Sequence, residues 1–149
     1  MYMQEQIAKM ERELKIRNYS PKTIKTYLYG LREYLNFKKQ AFALYDEDNI
    51  KNFLLTRTKV GTSAQSRNLF LNAIKFYYRN VVRISTTISV RSAKHQYRLP
   101  EVLTKSEIDK ILNVTTNSKH RTLLALAYCS GLRVSEIINL KVQDLDLEQ

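Results

Sequence analysis

Apolar residues recur along this chain every three to four positions, the period of a helix with one buried face. Ile7, Met10 and Leu14, with Met3 ahead of them, form a narrow stripe that predicts a helix over about 3–17. Asn18-Tyr19 breaks the stripe, and Ser20-Pro21 restarts the chain with an N-cap followed by proline at the first helical position. The second helix then extends to about Lys39. Its core-facing stripe is Ile24, Tyr27, Leu28, Leu31, Tyr34 and Leu35, which leaves Lys22, Lys25 and Arg32 facing outward beside Thr26 and Tyr29. Asp46-Glu47-Asp48 places negative charge where a third helix begins and its dipole favours it. Ile50, Phe53 and Leu54 form the inner face of that helix, which ends near Thr58. After a turn at Lys59-Val60-Gly61, Thr62 or Ser63 caps a fourth helix running to about Val82. Its inner positions are Leu69, Ala73, Phe76 and Tyr77, with Asn80 next in register, and Arg67, Lys75 and Arg79 are basic positions along it. Four helices with short connectors predict a small bundle.

The pattern changes at Ile84. Residues 84–100 are β-branched and polar, then basic, with Arg91, Lys94, His95 and Arg98 before Leu99-Pro100, which reads as an extended basic linker. Thr104-Lys105-Ser106-Glu107 is a capping box opening a fifth helix, with Ile108, Ile111 and Leu112 on its apolar side. Asn117-Ser118 begins a sixth, in which Leu123, Leu124, Leu126 and Ala127 are the buried candidates. Gly131 suits the position past its C-terminus, where a positive φ costs other residues energy. A short helix from Arg133 to Leu140 follows. The residues after Leu140 alternate apolar and polar like the lead-in to a strand, with no partner strand behind them, a poor complete domain that implies truncation.

Composition narrows the function classes. No apolar run reaches the ~20 residues of a membrane span, and the N-terminus lacks a charged-then-apolar leader, so a cytoplasmic protein is expected. The single cysteine, Cys129, excludes an internal disulfide and a cysteine-cluster metal site, and is expected as a small buried residue. The net charge of +11 is unevenly spread. Residues 1–98 hold 19 Lys/Arg against 7 Asp/Glu, whereas residues 99–149 hold 6 against 7. No acidic residue lies between Asp48 and Glu101, a span with ten Lys/Arg. A solvated face usually mixes signs, so a one-sign stretch of this length points to a polyanion, with nucleic acid ahead of an anionic membrane surface.

The remaining feature is the string Ser130-Gly131-Leu132-Arg133-Val134-Ser135-Glu136-Ile137-Ile138-Asn139-Leu140. The turn fixes Arg133 at a helix start, and Glu136 lies three residues on, along the same face. An arginine held in this way offers a planar charged fork to a phosphate, with a carboxylate near enough to orient it. Taken alone, an Arg-x-x-Glu is an ordinary surface pair. The whole string, however, closely resembles the first catalytic-arginine motif of the tyrosine recombinases, the phage-integrase-like and Xer-like site-specific enzymes. Tyr19-Ser20-Pro21-Lys22-Thr23-Ile24-Lys25-Thr26-Tyr27 resembles the opening of that family's core-binding domain. Ser63 to Tyr77 is similar to its fourth helix, and Leu99-Pro100-Glu101-Val102-Leu103-Thr104 with Glu107-Ile108 is similar to the linker exit and the first catalytic-domain helix.

The resemblance implies a mainly α fold: a four-helix core-binding (SAM-like) bundle over 1–83, a basic linker over 84–100, and over 101–149 the first helices of a truncated α/β catalytic domain. It implies DNA strand transfer through a 3′-phosphotyrosine link, with no metal or nucleotide cofactor. Arg133 would stabilise phosphate charge and Glu136 would support it. The family's other catalytic groups, a lysine on a β-turn, a His-x-x-Arg pair, a further His or Trp and the nucleophilic tyrosine, all lie downstream of the first arginine. After Arg133 these 149 residues contain no Tyr, no His and no further Arg, so this chain alone is expected not to cut DNA. Double-stranded DNA is the expected partner, with other recombinase protomers on DNA beside it, no membrane, and a monomer in solution. The expected location is the cytoplasm of a prokaryote, associated with the nucleoid.

By the same resemblance, Lys22, Thr23, Lys25 and Thr26 on the second helix and Ser63, Gln65, Ser66, Arg67 and Lys75 on the fourth would lie near DNA. Tyr27 fits either the groove or the core. Arg91, Lys94 and Arg98 would neutralise phosphates across the linker. Two alternatives stay open at this point: a natural non-catalytic protein that occupies recombination sites or pairs with an intact recombinase, and a helical adaptor whose basic face meets an acidic protein.

Overall fold

The computed structural model of the chain describes residues 2–39, 41–94 and 99–144. Its α-helices are α1 (Tyr2–Ile16), α2 (Pro21–Lys38), α3 (Glu47–Lys59), α4 (Ala64–Phe76), α5 (Lys105–Val114), α6 (Ser118–Ser130) and α7 (Val134–Asn139). The described residues contain no strand, and the fold is mainly α. The chain divides after residue 97 into two compact units.

In the first unit the helix boundaries follow the capping chemistry. The Ser20 hydroxyl accepts from the Thr23 amide at 3.2 Å, the Asp46 carboxylate from Asn49 at 2.9 Å, and the Ser63 hydroxyl from Ser66 at 3.2 Å. α1 closes on Asn18, whose left-handed φ of 55° lets the Tyr19 amide reach back to the Leu14 carbonyl at 3.1 Å. The predicted stripes face the core: Met10 and Leu14 of α1, Leu31, Tyr34 and Leu35 of α2, and Ile50 and Phe53 of α3 are fully buried. Each such side chain contributes about 1.5–3 kcal/mol through removal from water.

α4 departs from a one-sided helix. Besides Ala73, Phe76 and Tyr77, it buries Phe70, Leu71 and Ile74, because it packs against both α2 and α3. Its crossing with α2 is close. A Cβ placed on Gly30 would lie 3.1 Å from the Ala73 Cβ and 3.3 Å from the Phe70 ring, so only glycine lets the two helices meet there without displacement.

The helix predicted to continue to Val82 changes instead to a π-turn at Tyr77–Val82 and closes on Arg83 with a left-handed φ of 61°. The wider turn accompanies the burial of two consecutive tyrosines. The Tyr77 hydroxyl donates to Gln6 Oε1 at 3.1 Å, while that of Tyr78 lies 3.3 Å from the Tyr34 hydroxyl, donates to the Leu44 carbonyl at 3.1 Å and accepts from Lys38 Nζ at 2.9 Å. Burial pushes the Tyr34 phenol up to about 12 and raises those of Tyr77 and Tyr78 as well. These phenols are neutral hydrogen-bonding hubs, not nucleophiles.

Residues 84–94 are irregular but not loose. Ile88 and Val90 are buried in the bundle's core while Ser89 and Arg91 face out, the alternation of an extended strap. Ser89 Oγ donates to Glu47 Oε1 at 2.7 Å, and Glu47 also holds Lys51 Nζ at 3.0 Å and the Tyr45 hydroxyl at 3.1 Å. The Ser89 hydrogen bond first, then those of Lys51 and Tyr45, lower the Glu47 carboxyl to about 2. A carboxyl depressed on folding contributes stability at pH above its ordinary value of 4.5 that is lost as pH falls toward about 2. A carbon-detected NMR titration should therefore place the Glu47 midpoint near 2, and Ser89→Ala should move it upward. A midpoint near 4.5, unmoved by that substitution, would show that the strap is not anchored at Glu47.

The second unit is built on its caps. Thr104 Oγ1 accepts from the Glu107 amide at 3.4 Å and Glu107 Oε2 accepts from the Thr104 amide at 2.8 Å, the reciprocal capping box at the start of α5. Asn117 Oδ1 accepts from the His120 amide at 3.1 Å to cap α6. Burial here is shallow. Ile137 is the one buried hydrophobic residue among those described in this unit; Leu123, Leu126 and Ala127 are half-buried, and Leu124, expected inside, is exposed. Cys129, also expected inside, is exposed, because it shares its face of α6 with Ser118, Thr122 and Ala125, which neither α5 nor α7 covers. The anticipated strand lead-in begins differently: Val142–Asp144 form a single 3-10 turn, held where Asp144 Oδ2 accepts from the Lys141 amide at 2.9 Å, and the rest of that stretch lies outside the described residues.

Candidate nucleic-acid interface and arginine corner

On α2 the outward positions are Lys22, Lys25, Thr26 and Tyr29, which repeat at helical spacing on the side away from the buried stripe. Lys22 and Lys25 are exposed. Thr26 is half-buried and donates its hydroxyl to the Lys22 carbonyl at 2.6 Å, and Thr23 is half-buried beside the Ser20 cap, with the two hydroxyls 2.9 Å apart. Between α2 and α4 opens a cleft of about 210 Å³ lined by Tyr27, Asn72, Lys75, Phe76, Arg79 and Asn80. Its apolar wall is a ring cluster, with Tyr19, Tyr27 and Phe76 at centroid distances of 5.8–6.2 Å and the Arg17 guanidinium 5.5 Å from the Phe76 ring. Tyr27 packs against Phe76 and also lines the cleft.

The other predicted positions on α4 differ in availability. Gln65 and Ser66 are exposed near the helix start; Ser63 and Ser66 hydroxyls are 3.0 Å apart, so both are engaged in the cap. Arg67 is half-buried and donates through Nη1 to the Thr62 carbonyl, bracing the α3–α4 turn. Lys75 is half-buried at the cleft. Arg91 and Lys94 are exposed on the strap, whereas Arg98, like His95, lies outside the described residues.

Reading the sequence missed three contributors. Arg79 counted only as a basic position, although Asn68, Asn72, Lys75 and Arg79 recur at four, three and four residues and so share one face. Arg17 is the last residue of the helix predicted over 3–17, and only the fold brings it over Phe76. Asn68 pairs with backbone 25 residues away and has no local sequence signal.

In the second unit Gly131 takes φ of 64° at the end of α6, its amide reaching the Ala127 carbonyl at 3.1 Å. Arg133 is the N-cap of α7. The Glu136 carboxylate grips it twice, with Oε2 accepting from its backbone amide at 2.8 Å and Oε1 from guanidinium Nη1 at 3.0 Å. Arginine has no acceptor, so Glu136 supplies the capping here. The Arg133 side chain is 82% exposed, and an ion pair so open to water is worth about 1 kcal/mol or less. Its consequence is orientation: the fork is held at one N–H while the others stay available to an anion.

Comparison with known proteins places these features together. The family described as "Phage integrase, N-terminal SAM-like domain" matches residues 7–88, and the "Phage integrase family" matches residues 101–149. The chain belongs to the phage integrase family of tyrosine recombinases. Tyrosine recombinase XerA of Pyrococcus horikoshii is similar, 34% identical over 136 residues that cover 91% of this chain and 46% of that protein. So is tyrosine recombinase XerD of Oceanobacillus iheyensis, at 29% over 145 residues covering 88% of this chain and 49% of its own. A crystal structure of XerA recombinase shares the fold with a TM-score of 0.53 at 20% identity, across 97% of this chain and 52% of that one. This integrase-family chain thus spans about half the length of the relatives it matches. In its described residues no helix is long and apolar enough to cross a membrane.

Proposed function

We propose that this chain is the DNA-binding portion of a site-specific tyrosine recombinase: residues 1–83 act as the core-binding domain, 84–100 as the linker, and 101–149 as the N-terminal part of the catalytic domain. The observation that carries the reading is the acid-free, ten-cation stretch between Asp48 and Glu101. It contributes Lys75 and Arg79 to the cleft beside α2 and Arg91 and Lys94 to the strap. The cations meet backbone phosphates, which set affinity and salt dependence, while Thr23, Thr26, Gln65, Ser66 and Asn72 are the polar groups suited to base edges. Ser63 and Arg67 act mainly through the α3–α4 turn. Arg98 joins Arg91 and Lys94 as a linker contact.

Arg133 is the phosphate-stabilising arginine of the assembled enzyme and Glu136 its orienting acid, with no metal or nucleotide cofactor taking part. The 149 residues by themselves bind but do not cleave. They act as a monomer in solution, meeting other recombinase protomers on DNA, in the cytoplasm at the nucleoid. The test is to incubate the chain with labelled duplex at low salt and resolve the products on native and denaturing gels. A native-gel shift without any covalent protein–DNA species is expected; no shift would overturn the DNA-binding reading, and a denaturation-resistant adduct would overturn the assignment as non-cleaving.

A further inference from the structure

Asn68 occupies a position that its own helix does not require. Asparagine is a poor helix interior residue because its amide competes for backbone hydrogen bonds, and here it does so with a distant segment. Asn68 Nδ2 donates to the Ala93 carbonyl at 3.0 Å, and Asn68 Oδ1 accepts from the Ala93 amide at 2.7 Å. The two bonds reproduce, from one side chain, the paired contacts that a neighbouring strand would make with an extended residue. Ser89 on Glu47 and buried Ile88 and Val90 hold the preceding residues, so the strap runs from the end of the π-turn past the start of α3 to the flank of α4.

The clamp lies on the basic face. Asn68 shares that face of α4 with Asn72 and Lys75, with Arg79 on the π-turn just beyond, so the backbone fixed at Ala93 carries its exposed neighbours Arg91 and Lys94 alongside it. An unclamped basic strap would lose conformational freedom each time its cations engaged phosphates; one already fixed loses less. We infer that Asn68 is a positioning residue for DNA binding, which holds Arg91 and Lys94 in line with Lys75 and Arg79 so that strap and helix form one phosphate-binding surface. The inference rests on the DNA-binding reading above and adds to it a residue that itself need not touch DNA.

A thermodynamic cycle tests it with the full chain on duplex DNA. Asn68→Ala should weaken binding about threefold to tenfold and flatten its salt dependence. In a chain already carrying Arg91→Ala and Lys94→Ala the same change should have no further effect, since the cations it positions are gone. Ala93→Pro removes the amide donor while leaving Asn68 in place, and should reproduce the loss if the bundle melts as before. Amide hydrogen exchange at Ala93 reports the clamp independently of DNA: strong protection is expected in the wild type and loss of it in Asn68→Ala. An equal penalty in both backgrounds, or faster exchange at Ala93 with unchanged affinity, would overturn the positioning role. Absence of wild-type binding would instead overturn the DNA reading, and this inference with it.

Discussion

Gly30→Leu will destabilise the helical bundle by about 3 kcal/mol and lower its midpoint in a urea titration accordingly. Even the first added carbon would lie 3.1 Å from the Ala73 Cβ, with the Phe70 ring at 3.3 Å and Leu69 at 3.6 Å. The remaining three carbons would have to occupy space already filled by those side chains. Phe70 cannot retreat freely, because its ring also packs against Phe53 at 5.8 Å and Tyr29 at 5.9 Å. The helices must separate, which opens voids around Tyr34 and Ile74 as well. Gly30→Ala is the informative control. Alanine favours a helix interior by about 1 kcal/mol over glycine, and the tight approach opposes that gain, so a net change within about 1 kcal/mol is expected. A leucine variant as stable as the wild type would mean that α2 and α4 do not approach as closely as described. Because the candidate cleft lies between the same helices, the leucine variant should also lose DNA affinity, whereas the alanine variant should keep it.

The second large effect is on binding itself. Replacing Lys22, Lys25, Lys75 and Arg79 together by alanine should reduce affinity for duplex DNA roughly 10²–10³-fold at moderate salt, at about 1 kcal/mol for each cation removed from a phosphate. None of the four makes an ion pair among the described residues, so folding stability should change little. Three of them are exposed and Lys75 is half-buried. The loss should be similar for unrelated sequences, as phosphate contacts carry no base information. The slope of log affinity against log salt should fall by about 1 for each cation removed, so that wild type and variant converge at high salt. Undiminished binding would remove the α2–α4 face from the interface and move attention to the strap and α1.

Much of this architecture was legible in the residue pattern, and the exceptions have physical reasons. The caps at Ser20 and Thr104 and the helix start at Asn117 could be placed because a short polar side chain satisfying an amide three residues on is local chemistry; Asp46 was read only as charge at a helix start, and the choice of Ser63 over Thr62 came from the fold. The stripes of α1, α2 and α3 were visible because each helix buries one face. α4 was read incompletely: a helix packed on several sides has no single stripe, so Phe70, Leu71, Ile74 and Tyr78 looked no different from outward residues. The π-turn accompanies the burial of Tyr77 and Tyr78, whose hydroxyls find partners in Gln6, Tyr34, Lys38 and Leu44, none within thirty residues. The linker reading of 84–100 rested on its polar composition, in which the alternation that buries Ile88 and Val90 is only three residues long. Cys129 and Leu124 were assigned to a core on residue type alone, but in α6 burial depends on which faces other elements cover.

The candidate site divides in the same way. Arg133 and Glu136 were singled out by the resemblance of the whole string from Ser130 to Leu140, since an Arg-x-x-Glu alone is an ordinary surface pair, and the structure joins the two residues through two hydrogen bonds. The set proposed to face DNA was harder to read. A lysine on a polar helix face looks alike whether it meets phosphate or water, and Arg67 proves to be tied to the Thr62 carbonyl. Arg79 and Asn68 become candidates only once the cleft and the strap are in place.

The central claim is that the basic first unit binds duplex DNA through its phosphates, and a salt titration of the wild-type chain tests it most directly. With Lys22, Lys25, Lys75, Arg79, Arg91, Lys94 and Arg98 engaged, log affinity should fall linearly with log salt with a slope of about −6. A slope near zero, or no binding at low salt, would contradict the account.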